Sequence, residues 1–168
     1  MSQIVRTYAL GEFQDLANPT STMSTVYKLG DKVVVYDDSK KVTTTYMYVY
    51  ANGGCTKYGV YDIAYSGTAG QEVQAIAVAS LAVYTQKCVA QVAITTTYYG
   101  WVAIKGYVTY LAESSTATSG YFGKAVNGKT TSTNENGTRG TNSIIMCITT
   151  ASGTSTVGYL LGERTVVA

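Results

Sequence analysis

Apolar residues in this chain recur mostly at every second position, in short runs broken by glycine, asparagine and aspartate. That period belongs to half-buried β-strands, whose successive side chains point to opposite faces. The pattern begins at residues 32–36, turns at Asp37-Asp38-Ser39-Lys40, and resumes over residues 42–51, the longest such run. Asn52-Gly53-Gly54 closes that run and reads as a hairpin turn, because Asn and Gly accept positive φ. Residues 58–65 are the next predicted strand. Residues 87–94 alternate cleanly, with Cys88, Ala90, Val92 and Ile94 on one face and Lys87 and Gln91 on the other. Tyr98-Tyr99-Gly100 reads as a turn. Residues 101–111 then place Val102, Ile104, Gly106 and Val108 on one face and Trp101, Lys105, Tyr107 and Thr109 on the other. Gly106, inside that run, predicts a bulge or a barrel corner. Asn127-Gly128 and Asn136-Gly137 mark turns in a polar stretch read as a loop over residues 128–142. Residues 143–150 and 155–167 are the last predicted strands.

Two stretches fit less well. Residues 71–84 suit a helical stripe through Val73, Ile76, Ala77, Ser80, Leu81 and Tyr84, and suit alternation through Ala75, Ala77 and Ala79 nearly as well. A strand is preferred there because everything around it is β. Residues 1–25 hold Pro19 and a Ser/Thr cluster and alternate weakly. They read as an extended arm anchored by Ile4, Val5, Tyr8, Leu10 and Phe13, with residues 26–168 as the barrel domain. The other reading is an ordinary first strand or short helix packed on its own domain. Many short strands at close spacing imply a barrel or sandwich. The expected fold is all-β, a small β-barrel or β-tulip-like sandwich with an extended N-terminal arm.

Composition agrees. Of 168 residues, 46% are hydrophobic, only 13% are charged, and 16 are tyrosine. Tyr and Thr favour pleated surfaces, and a disordered chain would be charge-rich and poor in aromatics. The net charge is +2, with basic residues scattered rather than gathered on one face; a nucleic-acid partner is not expected. No apolar run approaches a membrane span, and the N-terminus lacks a signal-peptide pattern. No membrane partner is expected, and folding in a cytoplasm is.

Chemistry has little to work with. There is no histidine, and Cys55, Cys88 and Cys147 are widely spaced, so neither a zinc site nor a His-based acid–base mechanism is expected. Cys88 and Cys147 read as small core hydrophobes. Most of the ten carboxylates fall at predicted turns. Asp37-Asp38 could contribute oxygen ligands to calcium, but no spaced acidic loop accompanies them. No phosphate-binding loop, nucleophile elbow or dinucleotide fingerprint occurs. The expectation is no cofactor, no metal and no catalytic residue, hence not an enzyme.

Aromatics carry the information instead. Tyr46, Tyr48 and Tyr50 share one strand face, and Met47, Val49 and Ala51 share the other, a natural core face. The tyrosine row is either a contact surface or a cross-strand aromatic ladder within the sheet. Trp101, the only tryptophan, is either an anchor at the barrel rim or a contact residue at a subunit interface.

Val89-Ala90-Gln91, followed by Tyr98-Tyr99-Gly100-Trp101-Val102 and then Gly106, resembles a pattern recurrent in small phage head proteins. Leu29-Gly30-Asp31-Lys32-Val33-Val34-Val35 and Gly158-Tyr159-Leu160-Leu161-Gly162 resemble their first and last strands. The resemblance is to capsid decoration (cement) proteins of tailed bacteriophages, and its motifs are packing motifs. It implies a β-barrel or β-tulip body that docks on the outside of a capsid, often as a homotrimer, with the major capsid protein as partner. The expected location is the outer surface of the virion, after assembly in the host cytoplasm. Contact residues would be Ile4, Val5, Tyr8, Leu10, Phe13, Tyr46, Tyr48, Tyr50 and Trp101. The alternative function is a carbohydrate- or receptor-binding module of a phage head or tail fibre.

Overall fold

The computed structural model describes residues 5–9, 14–78, 86–112, 119, 122–126, 129–135, 144–148 and 155–162. Among these, eleven strands and a 3-10 turn at Gln14–Ala17 follow one another. The strands are β1 (Val5–Ala9), β2 (Lys32–Asp37), β3 (Val42–Ala51), β4 (Val60–Tyr65), β5 (Val73–Ala77) and β6 (Lys87–Val89). After them come β7 (Tyr99–Leu111), β8 (Phe122–Val126), β9 (Lys129–Glu135), β10 (Ile145–Cys147) and β11 (Ser155–Leu160). They join in the order β1-β2-β3-β5-β4-β6-β7-β11-β10-β8-β9, and a further pairing of β3 with β7 closes a five-stranded barrel of β3, β5, β4, β6 and β7. The fold is the small all-β barrel that the alternation predicts.

The barrel interior is filled by inward positions of every wall strand. Met47, Val49 and Ala51 meet Tyr61, Ile63, Val73, Ala75, Cys88, Val102 and Ile104 there. Five strands enclose little space, so small residues must alternate with large ones; Ala51, Ala75 and Cys88 are completely buried between the larger side chains.

β7 is long enough to serve two layers. Its first half pairs with β3, from Tyr50↔Tyr99 to Thr44↔Gly106, and its second half pairs with β11, from Gly106↔Leu160 to Leu111↔Ser155. Thr45 stands opposite Lys105 and Tyr46 opposite Ala103, so Ile104 is one residue too many, a bulge that bends the strand. Gly106 follows at φ +103, and a Cβ there would lie 2.2 Å from the Thr43 carbonyl oxygen. Only glycine fits that corner. Val108 and Tyr110 beyond it pack with Ile145, Cys147 and Leu160 in a second core outside the barrel, which Val60, Val89 and Ala103 also join.

Several local expectations are corrected. Gly53 and Gly54 do adopt positive φ, but no hairpin follows, because both edges of β3 are already taken by β5 and β7. The chain instead crosses the barrel end, where Cys55 bridges Ile94. β6 stops at Val89 rather than running through residue 94. The Gln91 side chain then substitutes for a strand, its Nε2 donating to the Thr109 carbonyl (2.9 Å) and its Oε1 accepting from the Thr109 N–H (3.2 Å). Cys88, Ala90 and Ile94 still face the barrel core, so the alternation was right about faces and wrong about backbone pairing. Tyr99 and Gly100 open β7 rather than forming a turn. Within the polar stretch read as a loop, Lys129–Glu135 is a strand paired with β8; its threonines favour extended backbone without any apolar alternation. Asn136-Gly137 and residues 79–84 lie outside the described residues, while Val73–Ala77 is the preferred strand.

Within residues 1–25, the described segments include a strand and a 3-10 turn. Val5–Ala9 runs parallel to β2, with Val5 opposite Lys32 and Ala9 opposite Tyr36, and the 3-10 turn comes next. Ile4, Leu10 and Phe13 lie outside the described residues.

Candidate functional site

The outer face of β3 and β7 is a wall of aromatic rings set by strand register. Tyr48 stands directly opposite Trp101, and Tyr50 opposite Tyr99. Tyr48 and Trp101 have centroids 5.1 Å apart, and Tyr50 and Tyr99 meet edge to face at 5.4 Å. This is the cross-strand ladder, in which directly opposed rings on one sheet face stabilise the pairing. Trp101 is 2% exposed and Tyr48 3% exposed. Trp101 therefore acts as an internal anchor, and Tyr48 and Tyr50 turn no open face to solvent. Tyr46, opposite Ala103, is half-buried; burial pushes its hydroxyl pKa up to about 12. Tyr8 packs partly buried against the same wall.

What covers the wall is a strap, residues 18–29, fastened at both ends. Thr20 and Tyr99 exchange backbone hydrogen bonds of 3.0 and 2.8 Å, and the Gly30 N–H donates to the Tyr48 carbonyl at 2.8 Å. Between them, the Ser24 N–H donates to the Tyr48 hydroxyl (3.1 Å). The Ser24 Oγ accepts from the N–H groups of Val26 and Tyr27 (3.0 and 3.2 Å), a serine turn that reverses the chain. That turn drives the Tyr27 ring edge-on into Trp101 at 5.1 Å and 81°. At the far side the Tyr99 hydroxyl donates to the Gly70 carbonyl (3.0 Å). The Tyr99 hydroxyl pKa is raised, first by desolvation and then by neighbouring Tyr50 and Tyr48.

Between strap and wall lies a cleft of about 310 Å³. Its floor is Tyr48, Gly100 and Trp101, and its sides carry Asp15, Asn18, Thr20, Thr22, Ser24 and Thr25. Met23 at its edge is 45% exposed, and neighbouring Val26 is 64% exposed. The strap therefore presents apolar side chains outward from a backbone held by hydrogen bonds, which limits the entropy lost when a partner docks. A second hollow of about 730 Å³ opens at the barrel end, with Gly54, Cys55, Thr56, Tyr61 and Ile94 in its lining. The Cys55 thiol is pushed up to about 12 by burial, which leaves it protonated and weakly nucleophilic at neutral pH.

Of the residues singled out by sequence, the structure brings together Tyr8, Tyr46, Tyr48, Tyr50 and Trp101 on one wall. Val5 lies in β1 beside that wall's second neighbour, β2. The strap residues Ser24 and Tyr27, with exposed Met23 and Val26, were missed. A lone tyrosine after a Ser/Thr cluster was the available signal. Asp37, read as a possible calcium ligand, instead accepts from the Ser39 hydroxyl (2.6 Å) and pairs with Lys40 (2.6 Å), which holds its carboxyl at about 2. Also missed was a buried ion pair on the opposite wall, Asp62 of β4 with Lys87 of β6. Sequence read most carboxylates as solvated at turns, whereas Asp62 is 1% exposed within a strand.

No helix among the described residues is long and apolar enough to cross a membrane. No protein-family model, no curated protein and no solved structure matches this chain.

Proposed function

We propose that this chain is a structural virion protein that binds the outer surface of a phage capsid and reinforces contacts between capsomers. The observation that carries the reading is the strap. Met23 and Val26 stand exposed on a segment hydrogen-bonded to β3 and β7 and backed by Trp101 and Tyr27. Such an element offers a pre-ordered apolar contact, the form of surface in which little ordering cost opposes association. The likeness of residues 89–106 to phage cement proteins supports the same reading. The major capsid protein is the partner in this reading, and a homotrimer is the preferred assembly. Several weak contacts per trimer would act together, raising avidity by ~10²–10⁴. The test is to mix purified protein with undecorated heads. Co-sedimentation at a fixed number of copies per head is expected; protein left in the supernatant counts against the role.

The cleft favours one second reading, a carbohydrate- or receptor-binding module. Hydroxyl, amide and carboxylate groups of Thr20, Ser24, Asn18 and Asp15 line it above aromatic rings, a combination that suits sugar hydroxyls and ring faces. A glycan array separates the two: specific sugar binding that Asp15→Ala abolishes would displace the capsid reading.

A further inference from the structure

On the wall opposite the strap, β4 and β6 run antiparallel, with Asp62 directly across from Lys87. The Ile63 N–H donates to the Gln86 carbonyl at 2.8 Å. Residues 63 and 86 therefore form a hydrogen-bonded pair, and 62 and 87 form the next, non-hydrogen-bonded pair, in which side chains stand closest. The Lys87 Nζ is in direct contact with the Asp62 carboxylate. Asp62 is 1% exposed and the Lys87 side chain 13%. The adjacent pair on the same face is Val60 with Val89, both completely buried, and Ile76 stands opposite Asp62 from β5.

We propose that Lys87 and Asp62 condense into an intramolecular isopeptide bond that staples β4 to β6. The step begins with a proton passing from the ammonium to the carboxylate across their contact. The freed Nζ lone pair adds to the Asp62 Cγ. A C–N bond forms, a C–O bond breaks, and the carboxyl hydroxyl leaves with an amine proton as water. An ammonium and a carboxylate give an amide and one water, and the step uses no oxidant, reductant or further reactant. Two effects drive it. The product carries no charge, so the desolvation penalty of the pair disappears. Groups held in contact by strand register also react as if present at effective molarities on the order of 10⁵–10⁸ M. The crosslink closes the chain between residues 62 and 87, so the β5 segment that completes the barrel is held by a covalent ring.

The test is mass spectrometry of the purified wild-type chain, denatured and reduced, beside Lys87→Arg, whose guanidinium keeps the charge but does not condense. Wild type is expected to weigh one water less than its sequence, with Lys87→Arg at its full mass as the reference for any N-terminal trimming. Proteolysis of wild type should release one branched peptide joining Lys87 to Asp62. Wild type at full mass, with trypsin cutting after Lys87 as after any lysine, overturns the proposal. So does a water loss that persists in Lys87→Arg. The decisive measurement is on wild type, so it stands even if a variant fails to fold.

Discussion

The two outer walls of the barrel are built by the same strand alternation and are held in different ways. On the β3–β7 wall the outward positions are Tyr46, Tyr48, Tyr50, Tyr99 and Trp101, covered by a strap fixed through many separate hydrogen bonds and ring contacts. On the β4–β6 wall they are Val60, Asp62, Lys87 and Val89, where one ion pair sits among valines. In a narrow barrel the inside accommodates few side chains, so outward positions become core as well. The first wall is secured by many separate contacts, and the second is centred on the contact between Asp62 and Lys87.

The largest effects come from removing each wall's centre. Trp101→Ala should cost about 3–5 kcal/mol, read as a lower urea midpoint, and should expose residues 18–29 to protease before the rest of the chain. Asp62→Ala should cost a similar amount, about 3–5 kcal/mol, because it removes the carboxylate that Lys87 contacts across the two strands. Here the strap should resist protease as in wild type. If both variants open the strap equally, the walls are not independent and the comparison fails. Next comes Gln91→Ala, which strips the Thr109 N–H and carbonyl of their partners and should cost about 1–3 kcal/mol without touching the strap. Ser24→Ala should be smaller, about 0.5–1.5 kcal/mol, and local: hydrogen exchange at the Val26 and Tyr27 amides should quicken while β4 and β6 stay protected. The smallest effect is electrostatic. Asp37 is held at about 2, below the ordinary value of 3.8, chiefly by its bond to Lys40. Its contribution is therefore present above the unfolded pKa and fades as pH falls through the folded value. The Ser39 amide shift, followed by NMR from pH 5 down to about 2, should move in that window, and added salt should weaken the pairing with Lys40.

What the sequence made legible was parity. Period-2 alternation puts Met47, Val49 and Ala51 on the core face and Tyr46, Tyr48 and Tyr50 on the other, and so it is in the barrel. Gly106 reads as a corner because a glycine inside a long apolar run has few other uses. Parity does not say which outward face is covered, nor by what. Tyr48 and Asp62 both alternate outward, and both are buried only through segments distant along the chain. Strand partners were equally hidden: the parallel β3–β5 contact and the β3–β7 closure are long-range pairings with no local mark. Gln91 escaped for a different reason, since a side chain acting as backbone leaves an alternating pattern intact. Met23 and Val26 gave no periodic signal because the strap is neither helix nor strand.

The central claim is that the strap is the face that meets the capsid. Met23→Asp with Val26→Asp tests it by titration against undecorated heads, with the urea midpoint measured in parallel. Both side chains are exposed, so the midpoint should stay within about 0.5 kcal/mol of wild type, while wild type saturates the heads and the double variant does not bind. Equal binding by the double variant, or no binding by wild type, would contradict the account.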